Sequence, residues 1–283
     1  MKEVFTMWRH TQLVVLVALS AAIYAAVLIP FKGFTIVPGY IEIRPANVFP
    51  VVFGLLFGPA GAWGAAIGNL IGDFFGTLSL GSVGGFVGNF FLAYLPYKMW
   101  GAYFRSDENI ETNVNSGKKL GVYIAVVVVA SVACAVIISW WVALLGFIPF
   151  QVTLPLIVFN NAIMAGVLGP VFLLALYPRV KRWGLLWTEI MEPEEVSASR
   201  SRLRVIGNVL VWVGSIGGAV VGLILSLTGA SPMGASLGLA LVPFLIAILA
   251  GAFMLGGRDQ VEAAQEMIAS EGEESSERQE SEA

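Results

Sequence analysis

The sequence has one cysteine, Cys134, one histidine, His10, and charge on only 12% of its 283 residues. A single thiol excludes an internal disulfide framework, and one thiol with one imidazole excludes the Cys/His sets that hold zinc. No phosphate-cradling G-x-x-x-x-G-K-[ST] loop occurs, because Ser116-Gly117-Lys118-Lys119 lacks both the upstream glycine and the following hydroxyl. The apolar stretches also lack the Asp-Asp, Ser-Lys or His-Glu pair that an intramembrane enzyme requires. The chain is therefore expected to be no enzyme and to use neither metal nor cofactor. Soluble domains carry about one-quarter charged residues, so a water-soluble fold is excluded as well.

What the sequence has is apolar length: 57% hydrophobic residues and a mean hydropathy of +0.82. Apolar runs suited to crossing about 30 Å of hydrocarbon fall near 12–31, 46–58, 60–79, 83–104, 120–147, 152–177, 205–228 and 233–256. The first run is long and leads straight into further spans, so it reads as a retained helix rather than a signal peptide. Residues 46–79 would make a helix of about 50 Å if continuous, too long for one crossing, and Gly58-Pro59 offers a turn midway. Charge placement supports the split. With eight spans and an inside N-terminus, 14 of the 16 Lys and Arg residues fall inside, leaving only Lys32 and Arg44 outside. Both termini are thus expected in the cytoplasm, with the chain in the cytoplasmic (inner) membrane.

The stretch 257–283 has nine acids against Arg258 and Arg278, a net charge of −7 that leaves +4 on the rest. It reads as a disordered acidic tail, and the modest remainder gives no reason to expect nucleic acid as a partner. In the 179–204 linker, Trp183, Leu186, Trp187 and Ile190 share helical spacing beside Arg179, Lys181 and Arg182, which predicts a helix lying on the membrane surface.

Only two of the 19 acids, Glu42 and Asp73, fall outside the cytoplasmic segments, and a carboxylate within a span is costly enough to mark a functional site. By helical rise, Asp73 lies ~20 Å along span three, with Asn69 one turn deeper on the same face. Asn89 lies ~9 Å into span four, and Asn160 and Asn161 ~12–14 Å into span six, both counted from the outer side. Asn47 opens span two just after Glu42 and Arg44. Polar groups from four spans thus share one depth in the outer half of the bilayer, the pattern of an outward-facing pocket, although asparagines in membranes also serve simply to join helices. Phe90, beside Asn89, and Phe74, beside Asp73, are candidate walls for a planar ligand. Gly64, Gly68, Gly72 and Gly76 mark a close-packing face on span three, and Ala18, Ala22 and Ala26 a second small-residue face on span one.

The runs 18–26 (ALSAAIYAA), 43–47 (IRPAN), 54–61 (GLLFGPAG) and 68–73 (GNLIGD) resemble the substrate-binding S components of energy-coupling factor (ECF) transporters, nearest to the queuosine-precursor type. The resemblance covers roughly residues 10–178. It implies an all-α integral membrane protein: a six-helix S-component-like core over 1–178, to which the sequence adds a two-helix hairpin over 205–256 and the acidic tail. It further implies capture of a vitamin-like small molecule from outside, a cap made by the loop from Lys32 to Arg44, and docking of a first-helix small-residue face, here Ala18, Ala22 and Ala26, on a membrane coupling subunit driven by two ATPase subunits. The candidate ligand residues are Glu42, Arg44, Asn47, Asn69, Asp73, Asn89, Phe90, Asn160 and Asn161. Two other classes stay open: a secondary transporter with Asp73 as its ion site, and a membrane scaffold whose asparagines only join helices.

Overall fold

The computed structural model describes residues 1–37, 41–42, 44–76, 78–104, 110–231 and 233–282, with the side chains of 33, 35–37, 41–42 and 271–282 outside that set. Arg105 and the side chains of Glu42 and Arg278, used above, therefore lie outside the described residues. The chain is an all-α, multi-pass membrane protein. Among the described residues, five helical stretches are long and apolar enough to cross a bilayer: Thr11–Lys32, Gly117–Leu144, Phe150–Ile190, Ser201–Leu227 and Ala235–Ser270.

After a short α1 (Glu3–Thr6), α2 runs over Thr11–Leu28. A small ribbon of β1 (Thr35–Val37) and β2 (Ile41–Glu42) follows, with Thr35 opposite Glu42 and Val37 opposite Ile41. Then come α3 (Val48–Phe57), α4 (Pro59–Asp73), α5 (Gly81–Trp100), α6 (Gly117–Leu144) and α7 (Phe150–Arg182). The C-terminal part holds α8 (Trp187–Ile190), α9 (Ser201–Trp212), α10 (Gly218–Leu227), α11 (Ala235–Met254) and α12 (Arg258–Glu282). A π-helical stretch, Val213–Gly217, joins α9 to α10.

The break at Gly58-Pro59 is real. Gly58 takes φ 55°, a left-handed value that suits glycine, and Pro59 starts the next helix where no amide donor is needed. The resulting α3–α4 hairpin is short, ~15 Å and ~22 Å by helical rise, and every residue of α3 is buried. Trp187 packs beneath its turn, completely buried, where a Cβ on Gly58 would lie 2.5 Å from the indole. A continuous helix over 183–190 does not form: only Trp187–Ile190 is helical, as α8. Gly184, at φ 62°, ends α7, and the chain turns inward to deliver Trp187 to the gap left by the short hairpin, leaving Trp183 exposed.

Close backbone approach holds the core together. Cβ atoms on Gly64, Gly68 and Gly72 of α4 would strike Ser20, Ala21, Tyr24 and Leu28 of α2, so three of the four spaced glycines pack internally. Gly76 lies beyond the helix with open space around it. Gly54 of α3 meets the Ala93 carbonyl of α5. Ala18, Ala22 and Ala26 lie on the opposite face of α2 and are exposed, with Val15 and Leu19 beside them. The C-terminal pair packs elsewhere: Gly218 against Val136 of α6, Gly222 against Phe150 of α7, and Gly238 against Leu144 of α6. It leaves the outward face of α2 uncovered.

The stretch expected as a disordered tail is helix α12. Its first turns dock, with Gln260 and Val261 buried and Gln260 Nε2 donating to the Tyr97 carbonyl at 3.0 Å. At this basic end of the bundle, Lys98 and Glu3 form a fully buried ion pair at 2.7 Å. Burial alone raises the Glu3 carboxyl, but the Lys98 ammonium and the N-terminal ammonium outweigh it and hold it down at about 2. A depressed carboxylate stabilises the fold above its ordinary value of 4.5, and that contribution disappears as pH falls toward 2.

Three variants test these contacts by stability. Glu3→Gln strands the Lys98 charge and should cost ~3–5 kcal/mol, most of it recovered by adding Lys98→Met, in thermal unfolding of the detergent-solubilised protein. Gly54→Ala, whose Cβ would sit 2.1 Å from a backbone oxygen, should destabilise by at least ~2 kcal/mol. Gly121→Ala, with nothing within 4 Å, should instead stabilise α6 by ~0.5–1 kcal/mol.

Candidate functional site

At the end of the bundle opposite the Glu3–Lys98 pair, an open cavity lies between α4, α5, α6 and α7. Its wall includes Arg44, Asn47, Asn69, Asp73, Asn89, Asn160 and Asn161, with Ser82, Gly85, Cys134, Ile138, Thr153 and Ile157 among the remaining residues. The structure thus brings together seven of the nine candidate ligand residues. The Glu42 side chain is outside the described residues. Phe90 is not in the cavity wall: it packs against Trp63 at 5.3 Å and Tyr94 at 5.5 Å. Phe74 is 65% exposed and also absent from the wall. The residue after Asn89 or Asp73 is turned ~100° further round its helix, which here carries each ring off the cavity.

Pro45–Asn47 form a single 3₁₀ turn that swings Arg44 over the cavity mouth. The Arg44 amide donates to Asn160 Oδ1 at 3.0 Å and its guanidinium to Asn69 Oδ1 at 3.0 Å, tying α7 to α4. Asn69 Nδ2 donates to Asp73 Oδ2 at 3.3 Å, and Lys32 Nζ lies 3.4 Å from Asp73 Oδ1. The charge of Asp73 is thus answered locally.

Deeper in, the Tyr24 hydroxyl is shared between Asn47 Oδ1 at 2.8 Å and Asn89 Oδ1 at 3.0 Å. Asn47 Nδ2 donates to Asn161 Oδ1 at 2.5 Å, and Asn89 Nδ2 to the Gly85 carbonyl at 2.8 Å. Asn161 is buried, with its side-chain amide against the Cys134 thiol in the cavity wall. Tyr24, Thr153 and Ser82 are polar residues of this region that sequence reasoning passed over. Tyr24 stood inside the quoted alanine-rich run, and only its apposition to α4 reveals its role.

A membrane bundle with an amide-lined cavity open at one end is the architecture of a small-solute transport protein. A family model described as QueT transporter matches residues 14–178, more than half of the chain and the whole of the cavity wall. The chain belongs to the QueT transporter family, an S-component family for queuosine precursors. No curated protein and no solved structure matches it.

Gly85 provides a direct check on the cavity, since a Cβ there would lie 2.8 Å from Asn69 Nδ2. Gly85→Leu should fill the space and lower ligand affinity at least ~100-fold, with the thermal midpoint moved by only a few degrees. Undiminished binding by a folded Gly85→Leu protein would place the ligand elsewhere.

Proposed function

We propose that the chain captures a queuosine precursor, a small base of the 7-deazaguanine type, from outside the cell and delivers it by docking on a membrane coupling subunit with two ATPases. The observation that carries this reading is the amide-lined cavity, built entirely within the family-matched core. Amide side chains both donate and accept, which suits the mixed edge of a fused heterocycle. The basic end of the bundle, with Lys2, Lys98, Lys119 and the Arg179–Arg182 cluster, is then cytoplasmic, together with both termini, and the cavity faces outward.

The docking surface in this reading is the outward face of α2, Ala18, Ala22 and Ala26. Their exposure supports it, because they are not used to pack the chain itself and the C-terminal helices sit against α6 and α7. The Lys32–Asp73 pair argues against Asp73 as the cation site of a secondary transporter.

The test is uptake of a labelled 7-deazaguanine base by cells expressing the chain alone or with coupling and ATPase subunits. Uptake that requires the added subunits and ATP supports the reading, and robust ATP-independent uptake by the chain alone contradicts it. Ala22→Glu should keep ligand affinity within about twofold and abolish copurification with the coupling subunit. Loss of ligand binding in that variant would assign the face to internal packing instead.

A further inference from the structure

We infer that Asp73 receives the edge of the ligand on which a ring N–H stands beside an exocyclic amine, and that Asn69, held by Arg44, is the positioning residue that keeps the carboxylate turned to accept it. The inference rests on the cavity being the ligand site, as proposed above, and adds which side of the base is read and by which group.

Asp73 is the last residue of α4, lies in the cavity wall and is 5% exposed. Both of its oxygens face donors, Asn69 Nδ2 at Oδ2 and Lys32 Nζ at Oδ1, so both act as acceptors. At 3.3 and 3.4 Å these contacts are long for hydrogen bonds from nitrogen to oxygen. A carboxylate has about four acceptor positions, so a ligand with two adjacent N–H groups can close on it at shorter range while Lys32 still balances the charge. Gly85 of α5 faces the same group, and a Cβ there would lie 3.7 Å from Asp73 Oδ2. With glycine in that place, position 85 puts no side chain over the carboxylate.

The direction of the Asn69 amide follows from partners that have no choice of role. A guanidinium only donates, so Arg44 meets Asn69 Oδ1, and a carboxylate only accepts, so Asn69 Nδ2 meets Asp73. Arg44 is itself anchored through its backbone amide on Asn160 of α7. Asn69 and Asp73 stand one turn apart on α4, and the bond between them holds the carboxylate toward the cavity. Without the Asn69 side chain, Asp73 is left to turn toward Lys32.

A buried group that only accepts reads the polarity of what it meets. A ring that brings N–H groups to Asp73 is held, whereas a ring that brings a carbonyl or a bare C–H leaves a desolvated carboxylate short of donors. Two adjacent donors, one on the ring and one exocyclic, form the edge of a cyclic guanidine. The site therefore selects a fused base with its 2-amino group intact over the deaminated counterpart.

The experiment measures binding of 7-deazaguanine and of 7-deazahypoxanthine to the purified full chain in detergent. The second probe keeps the ring, its carbonyl and its ring N–H, and lacks only the exocyclic amine. Wild type should prefer the amino compound roughly tenfold or more. Asp73→Ala should erase that preference, Asn69→Ala should reduce it severalfold, and Asn69→Ala should change it no further once Asp73 is already alanine. A purely structural role for Asn69 would weaken both probes alike and leave their ratio unmoved. Thermal midpoints confirm that the variants fold, and the comparison of probes in wild type needs no variant. Equal, measurable binding of both probes by wild type overturns the inference while leaving the cavity as the ligand site. A preference that survives in a folded Asp73→Ala protein overturns it as well. If wild type binds neither probe, the proposed ligand class fails and the inference falls with it.

Discussion

The contact on which the structure depends is the approach of α2 to α4 along Gly64, Gly68 and Gly72. In hydrocarbon, helices gain little from burying apolar surface against each other, and small residues that admit a neighbouring backbone supply close packing instead. That approach carries Tyr24 inward to Asn47 and Asn89, and puts Asn69 and Asp73, which share α4 with the glycines, into the wall of the same cavity. A bulkier α4 would hold α2 away and leave the amides of Asn47 and Asn89 without the hydroxyl they share. The cavity is thus a consequence of packing as much as of its polar residues.

The second constraint is the shortness of the α3–α4 hairpin. Two helices of ~15 Å and ~22 Å cannot reach both faces of a 30 Å layer. Their turn stays inside the protein, and the volume beneath it is filled by Trp187, by the Glu3–Lys98 pair with Tyr94 and Tyr97, and by the first turns of α12. One end of the bundle is therefore sealed with aromatic rings and a buried ion pair, while the other keeps an open polar cavity. The same helix α2 presents the Tyr24 hydroxyl on its inner face and the alanines proposed for docking on its outer one.

Much of this was legible in the sequence. The break at Gly58-Pro59 followed from span length and the asymmetry of Lys and Arg, and helical rise alone put Asp73 and the asparagines at one depth. The errors are of a different kind. Phe90 was credited with its neighbour's position although a helix turns it to another face. Trp187 was read as an amphipathic surface residue because periodicity cannot register that Gly184 breaks the helix or that a cavity lies beneath Gly58. Tyr24 went unnoticed because its partners are fixed by tertiary approach, not by spacing. The acidic C-terminal stretch was read from its charge, and the docking of Gln260 and Val261, which orders its first turns, depends on the underside of α5.

The central claim is that the cavity holds a small heterocycle taken up from outside. The most direct measurement is native mass spectrometry of the full chain purified in mild detergent from cells supplied with a 7-deazaguanine base. The account predicts one retained molecule of that base per chain, absent from the Gly85→Leu protein. A wild-type chain that carries no such ligand, or a Gly85→Leu chain that retains it equally, would contradict it.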